Sequence, residues 1–167
     1  GADESTCDQV GIAVANINAL IFARALGDDA FQHVPKNTDE LDKALSSGKI
    51  VVMGGLQPGQ STNAVSCVLA EKSGSSLLVN TTAVDGVYSG DPKKDRSAKK
   101  FSEIKINDLA KILDGLGTRA GEYDLLDPVA LRMIQRSRIF TKVIDGRDPK
   151  NILRAIEGED IGTTIVP

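Results

Sequence analysis

The stretch from Lys49 to Glu71 constrains the fold most, because a strand pattern, a glycine-rich loop and a helix pattern follow one another directly. Ile50–Met53 is a continuous apolar run, which is typical of a parallel strand buried on both faces. Gly54-Gly55 removes side chains where the strand ends, and Pro58-Gly59 supplies a turn. The stretch therefore predicts a strand–loop–helix unit of an α/β protein.

The start of the predicted helix is where a ligand would bind. Ser61 or Thr62 is a good N-cap, and backbone N–H groups together with the positive end of the helix dipole would face the loop. This arrangement predicts a phosphate site. A tight strand-to-helix turn without a ligand stays open as the alternative, and the loop is not a Walker A motif because no lysine follows its glycines.

Composition narrows the class of protein. The chain has 167 residues, 41% of them hydrophobic and 26% charged, which is typical of one soluble globular domain. Its net charge of −3 and its lack of tryptophan argue against nucleic acid or a membrane as the main partner. Cys7 and Cys67 belong to no CxxC or Cys/His cluster, and no signal peptide or membrane-spanning apolar run is expected. These features predict reduced thiols and a cytoplasmic location.

Helical and strand patterns alternate along the chain. Val10, Val14, Ile17 and Ile21 recur at helical spacing and predict a long buried helix that has Asp8 in its first turn. Helices are predicted at 8–26, 38–47, 107–114, 128–136 and after 148–149, with Thr38, Asn107 and Asp127 as N-caps. Strands are predicted at 31–34, 50–53, 76–81, 101–106, 139–144 and 163–166, turns at 85–86 and 91–92, and loops at 93–100 and 115–121. The pattern predicts a three-layer αβα sandwich with a mainly parallel sheet, formed by residues 1–167 as a single domain.

Two predicted strand ends carry unusual sequence, and ligands of open α/β sheets bind beyond such ends. One is the loop described above, and the other is TTAVDGVYSGDP at 81–92. A β-hairpin or plain surface loop is the alternative for the second segment, because Asp-Gly is a strong turn signal. His33 is expected to be solvated, and no catalytic triad or metal cluster can be assembled. Among reaction classes, phosphoryl transfer depends least on side-chain acid/base chemistry and most on the positioning of the reactants and the neutralisation of their charge.

These motifs together resemble the amino acid kinase superfamily and, within it, the archaeal-type uridylate (UMP) kinases. The resemblance covers nearly the whole chain and is carried by VMGG at 52–55, Pro58-Gly59, Ser61-Thr62, Thr82 with VDGVY at 84–88, and Asp91-Pro92. It implies transfer of the ATP γ-phosphate to UMP with Mg²⁺ in pyrimidine nucleotide biosynthesis, by a homohexamer.

The resemblance also assigns site residues. UMP would be bound by Asp8, Leu56, Gln57, Pro58, Gly59, Gln60, Ser61 and Thr62, and ATP by Thr82, Ala83, Tyr88 and Asp91; no residue is assigned to catalysis or to a metal. Such kinases open with a strand and a Gly-Gly-Ser loop that this sequence lacks before Gly1, so part of the active site is expected to be missing. Asn16, Asn63 and Ala83 depart from the pattern of the superfamily.

Two alternatives remain. One is a sister kinase that acts on isopentenyl phosphate, an acylamino acid or carbamate. The other is a non-catalytic nucleotide-binding or storage module on the same fold.

Overall fold

The computed structural model describes residues 1–92, 94–116 and 126–167. They form two compact units, Gly1–Ser73 and Gly74–Pro167. That the two units make up a single domain stays a prediction.

The first unit begins with the long helix α1, Glu4–Leu26. Asp3 is its N-cap and accepts a hydrogen bond from the Thr6 N–H at 2.9 Å, and Gly27 ends it at φ 62°. Because Asp3 provides the cap, the helix starts four residues before the predicted start. The prediction that Asp8 lies in the first turn is therefore wrong, and Asp8 occupies the second turn.

The prediction that α1 is buried is also wrong. Only Ala19 and Ala23 are buried, whereas Val10 is 61% exposed and Ile21 is 63% exposed. The helix packs through its small side chains, and no described residue covers the opposite side. Residues 4–29 are long and apolar enough to cross a membrane by length and composition, so the expectation that no such run exists is wrong. The buried core helix of a soluble protein or a signal sequence meets the same criterion.

The apolar run at 50–53 is not a strand in the described structure. Ile50 forms an isolated parallel bridge with Ala30, but the backbone groups of residues 51–55 make no hydrogen bond to a described residue. The predicted strand at 31–34 is also absent, because no strand of the described residues lies beside it as a partner. His33 is exposed, as expected, and its ring lies 5.9 Å from that of Phe31.

Two further helices complete the first unit. Helix α2 spans Thr38–Leu45, and its N-cap is Asn37 rather than the predicted Thr38, because the Asn37 side chain accepts the Glu40 N–H. Helix α3 spans Thr62–Ser73 and confirms the helix predicted after the glycine-rich loop.

The second unit contains a four-stranded mixed sheet in the order β1-β3-β4-β2. Strands β1 and β3 pair in parallel, as do β2 and β4, whereas β3 and β4 are antiparallel. The elements in chain order are β1 Leu77–Thr82, β2 Glu103–Lys105, α4 Ile106–Leu116, α5 Pro128–Ser137, β3 Phe140–Asp145, α6 Lys150–Ile156 and β4 Thr163–Val166. The α/β class with a mainly parallel sheet is confirmed.

Most of these elements agree with the sequence. Asp127 caps α5 as predicted, since its carboxylate accepts the N–H groups of Val129 and Ala130. The strand predicted at 101–106 shortens because α4 begins at Ile106, which places Asn107 inside the helix instead of at its cap. In the predicted loop at 115–121, residues 115 and 116 belong to α4 and the others lie outside the described residues, as does Lys93.

The chain just before β4 lies so close to β3 that only glycine fits at position 162. Gly162 has φ 69°, and a Cβ there would lie 2.8 Å from Ile144 Cγ2 and clash with the Val143 carbonyl oxygen. Gly158 has a similar φ of 83°, but a Cβ there would meet nothing within 4 Å. Both positions therefore have a backbone conformation that strains any residue except glycine, but only Gly162 also lacks room for a Cβ atom.

We expect Gly158→Ala to lower the free energy of unfolding by about 1 kcal/mol, the cost of a left-handed alanine. Gly162→Ala should cost about 2 kcal/mol more, because β3 and β4 must also move apart. Urea unfolding followed by circular dichroism measures both variants. Equal losses would contradict the close approach of these strands.

Candidate nucleotide-binding loops

The glycine-rich loop of the first unit lies directly against α1. A Cβ on Gly54 would come within 2.7 Å of the Ala15 carbonyl carbon, and a Cβ on Gly55 within 2.7 Å of Ile12 Cγ1. Any larger residue would push the loop away from the helix. The glycine pair is therefore needed for the contact between loop and helix.

A turn and an acidic side chain fix the rest of this loop. The Gln60 N–H donates to the Gln57 carbonyl at 3.3 Å across Pro58-Gly59, and Gly59 has φ 76°, as a type II turn requires. The Gly59 N–H donates to Asp8 Oδ2 at 2.8 Å. Asp8 thus ties the tip of the loop to α1 across 51 residues of sequence.

The loop leads into the N-terminus of α3. Ser61 is the N-cap, since its Oγ accepts the Ala64 N–H at 3.0 Å. The first turn of α3 contains no acidic residue, so no carboxylate of the helix itself neutralises the positive end of its dipole. Neither the N–H nor the hydroxyl of Thr62 has a hydrogen-bond partner among the described residues. These groups are available to an anion.

A cavity of about 290 Å³ opens between α1 and this loop. Of the residues that the sequence assigned to UMP, the cavity is lined by Asp8, Gln57, Gln60 and Thr62, whereas Leu56, Pro58, Gly59 and Ser61 do not line it. Its α1 wall is formed by Cys7, Gly11, Ile12 and Ala15, which sequence reasoning did not assign to the site. Their spacing of three to four residues around Asp8 is the signal that could have found them.

Two other cavities in the first unit were not expected. One of about 990 Å³ lies between α1 and residues 31–36, and one of about 410 Å³ lies between α1 and α3. Thr62 also lines the smaller of the two.

In the second unit, the segment after β1 holds itself in shape through side chains. The Thr82 hydroxyl donates to the Val84 carbonyl at 2.8 Å and accepts the Val84 N–H at 3.1 Å. Ala83 offers only its backbone to a ligand. The hydroxyl of Thr82 is therefore already hydrogen-bonded within the turn. The contact with ATP that was predicted for Thr82 would then be made through its backbone.

Tyr88, Asp85 and Lys100 form a polar cluster beyond this turn. The Tyr88 hydroxyl donates to Asp85 Oδ1 at 2.8 Å, and Lys100 Nζ lies 3.1 Å from Oδ2. Burial pushes the pKa of Asp85 upward, but the Tyr88 hydrogen bond and the Lys100 ammonium outweigh it and lower the pKa. The hydrogen bond to Asp85 raises the pKa of Tyr88. Asp85 is thus held as a carboxylate.

Residues 87–89 run antiparallel to residues 99–101, a pairing outside the 81–92 segment for which an Asp-Gly hairpin was the alternative. Tyr88 bridges Lys100, and the Ser89 N–H donates to the Lys99 carbonyl at 2.9 Å. At the far end of the segment, the Asp91 carbonyl accepts the Lys94 N–H at 3.0 Å, which confirms a turn at Asp91-Pro92.

Sequence reasoning missed a third group, at the end of β3. Asp145 forms a two-oxygen ion pair with Arg147, and these hydrogen bonds lower the pKa of Asp145 to about 2. The Gly146 N–H donates to the Thr82 carbonyl at 2.8 Å, which holds this group beside the end of β1. The pKa of Arg147 is raised by its hydrogen bonds to Asp145 and, further, by the charge of Asp85. The Asp-Gly pair after a buried strand was the available signal.

Known proteins share this sequence and fold. The amino acid kinase family matches residues 4–145. A uridylate kinase of Methanothermobacter thermautotrophicus is 46% identical over all 167 residues, which cover 74% of that protein, and one of Methanobrevibacter smithii is 43% identical over 166 residues, again 74% of that protein. The crystal structure of a uridylate kinase from Archaeoglobus fulgidus superposes with a TM-score of 0.84 at 40% identity, over 99% of this chain and 74% of that one.

The chain belongs to the amino acid kinase family. The resemblance seen in the sequence is therefore confirmed.

Three positions of the sequence depart from the pattern of the superfamily. Asn16 places a buried Oδ1 without a partner among the described residues, next to Gly54. Asn63 sits in the first turn of α3, and Ala83 follows β1. Nothing in the structure explains why asparagine stands at position 16.

The described part of this kinase contains no group of three or more histidine, cysteine, aspartate or glutamate side chains that could hold a metal ion. Mg²⁺ in kinases is bound through substrate phosphates and only one or two carboxylates, so a dedicated cluster is not required for it.

The ion pair at the end of β3 gives a pH-dependent prediction. Replacing Arg147 with glutamine should raise the pKa of Asp145 from about 2 toward its ordinary 3.8, because the hydrogen bonds that favour the carboxylate are lost. The folded pKa lies below the unfolded one, so in the unaltered chain the pair stabilises the fold above about pH 4 and this contribution disappears as the pH falls toward 2.

Carboxyl-detected NMR titration measures the Asp145 pKa directly. Arg154→Gln, which removes a guanidinium that pairs with Glu159 instead, is the matched control and should leave the Asp145 pKa unchanged. An unchanged pKa in Arg147→Gln would contradict the ion pair.

Proposed function

We propose that this chain belongs to a uridylate kinase that transfers the γ-phosphate of ATP to UMP and releases UDP and ADP. The observation that carries the proposal is its identity of 46% and 43% with two uridylate kinases over essentially its whole length. The anion-binding geometry of the loop before α3 supports it independently. The chain spans about 74% of the length of those relatives.

UMP binds at the loop of the first unit in this proposal. Its phosphate sits at the N-terminus of α3, where the Thr62 N–H and hydroxyl are unpaired among the described residues and the first turn of the helix carries no acidic residue. Leu56–Ser61 supply the backbone that encloses the nucleotide. Asp8 has two roles: one oxygen holds the Gly59 N–H, and the other accepts hydrogen bonds from the ribose hydroxyls.

ATP binds in the second unit, at the ends of β1 and β3. Thr82 and Ala83 contact it through their backbone, while Tyr88 and Asp91 border the nucleotide. Asp85 and Asp145 hold Lys100 and Arg147 in place, and such anchored cations stabilise phosphate charge without the cost of ordering them. Mg²⁺ accompanies ATP and neutralises charge on its phosphates when bound.

The reaction then depends on position and charge more than on a catalytic acid or base. A phosphate oxygen of UMP is already an anion and needs no deprotonation to attack the γ-phosphorus. The work of the protein is to exclude water, align donor and acceptor, and match the charge that moves to ADP. This explains why no acid/base pair is required in either loop.

Further properties belong to the same proposal. The enzyme acts in pyrimidine nucleotide biosynthesis, in the cytoplasm, as a homo-oligomer that is a hexamer by resemblance. Nucleic acid and membranes are not among its proposed partners.

The function is tested by incubating the protein with UMP and ATP and measuring UDP formation, with ADP release monitored by a coupled assay. We expect activity with UMP and much lower activity with isopentenyl phosphate, an acylamino acid or carbamate, because the loop before α3 is assigned to a nucleotide. ATP without any acceptor controls for hydrolysis. Activity with another acceptor but none with UMP would refute the assignment, and tight ATP binding without ADP release would favour a non-catalytic nucleotide-binding protein.

A further inference from the structure

A polar sequence, Gly162-Thr163-Thr164, stands at the start of β4 and lies outside both nucleotide-binding loops. Thr163 is fully buried and pairs with Val143 in the antiparallel ladder between β3 and β4. A buried hydroxyl must find hydrogen-bond partners within the protein, because water does not reach it. The partners of Thr163 therefore show what this side chain does.

The Thr163 hydroxyl joins two segments that lie beside the sheet. Its oxygen accepts the N–H of Val87 at 2.8 Å, and its proton is donated to the carbonyl oxygen of Phe101. Val87 and Phe101 also bond to each other, since the Phe101 N–H donates to the Val87 carbonyl at 2.9 Å. One hydroxyl group therefore holds both arms of the pairing between residues 87–89 and 99–101 against β4.

Gly86 brings its backbone directly over the same hydroxyl. A Cβ at this glycine would lie 2.6 Å from Thr163 Oγ1 and 3.2 Å from Lys100 Cδ. The side chains of Tyr88 and Lys100 both bond to the carboxylate of Asp85. The stretch of backbone that Thr163 holds therefore lies between Asp85 and Tyr88, two members of the polar cluster.

The buried contact decides the position of this segment more than the cluster on its surface does. The side chains of Asp85 and Lys100 are 54% and 38% exposed, so water competes with their ion pair and screens it. The bond from the Val87 N–H to the Thr163 hydroxyl is buried, and a hydrogen bond is stronger where water is excluded.

We propose that Thr163 is a positioning residue for the phosphate donor: its hydroxyl holds the backbone of residues 85–88 where ATP requires it, without touching ATP. The inference rests on the proposed function, which places ATP beside this segment. It goes beyond that function because it gives control of donor affinity to β4, a strand to which no nucleotide contact is assigned. Loss of the hydroxyl then weakens ATP binding and leaves UMP binding at the loop of the first unit unchanged.

Three substitutions separate the hydroxyl from the bulk of the side chain. Thr163→Val keeps the shape and removes the hydroxyl, whereas Thr163→Ser keeps the hydroxyl and removes the methyl group. Thr141→Val is the matched control, because Thr141 on β3 is equally buried and its hydroxyl faces the Ile139 carbonyl at 3.5 Å instead of the ATP segment.

Calorimetric titration with each nucleotide measures the effect of these substitutions. We expect Thr163→Val to weaken ATP about 10-fold and to change UMP affinity less than about twofold. In steady-state assays its KM for ATP should rise by a similar factor while kcat changes little, as for a loss of binding alone. Thr163→Ser and Thr141→Val should behave nearly as the native protein does. Unchanged ATP affinity in Thr163→Val, equal weakening of both nucleotides, or the same loss in Thr141→Val would overturn the proposal.

Hydrogen exchange of the Val87 amide, followed by NMR, tests the contact in the native protein without any variant. Saturating ATP should slow this exchange, because a bound ligand holds the segment against Thr163, and UMP should leave it unchanged. Exchange that ATP does not slow would overturn the proposal even if every Thr163 variant failed to fold. Slower exchange with ATP but no formation of UDP would uphold the role of Thr163 and refute the kinase assignment instead.

Discussion

The close approach of a loop backbone to helix α1 is the constraint on which the first unit depends. Gly54 and Gly55 touch the helix where no side chain could fit, and the carboxylate of Asp8 receives the Gly59 N–H from the tip of the loop. These contacts fix the path of the chain into α3. They therefore decide where the N–H and hydroxyl of Thr62 point, two groups that have no hydrogen-bond partner among the described residues and that the proposed function assigns to the acceptor phosphate.

The second unit uses a comparable arrangement at the ends of two parallel strands. Gly146 follows β3 and donates to the Thr82 carbonyl at the end of β1, and a Cβ on Gly146 would lie 2.8 Å from Thr81 Cβ. The charged residues that follow are already paired, Asp145 with Arg147 and Asp85 with Lys100. In the proposed function, this charge-balanced rim is where the phosphates of ATP would bind.

Sequence reasoning succeeded where local rules act and failed where distant partners decide. The cap at Asp127 and the Pro58-Gly59 turn need only their own residues and neighbours, and both are confirmed. Whether the apolar run at 50–53 becomes a strand depends on a neighbouring strand, and no described residue provides one. The exposure of α1 likewise depends on what packs against it, since periodicity identifies an apolar side but not its cover. Asp145 and Arg147 were missed because their position beside the end of β1 depends on the pairing of β3 with β1, 63 residues away in sequence.

The binding of the acceptor phosphate at the N-terminus of α3 is the central claim, and Thr62 tests it most directly. Calorimetric titration of UMP and of ATP should be compared for Thr62→Ala and Thr62→Ser. We expect Thr62→Ala to weaken UMP about 10-fold or more, as for the loss of a hydrogen bond to a charged group, with ATP affinity changed less than about twofold. Thr62→Ser keeps the hydroxyl and should bind UMP nearly as the native protein does. An equal loss of affinity for both nucleotides, or a loss for ATP alone, would show that this loop does not hold the acceptor.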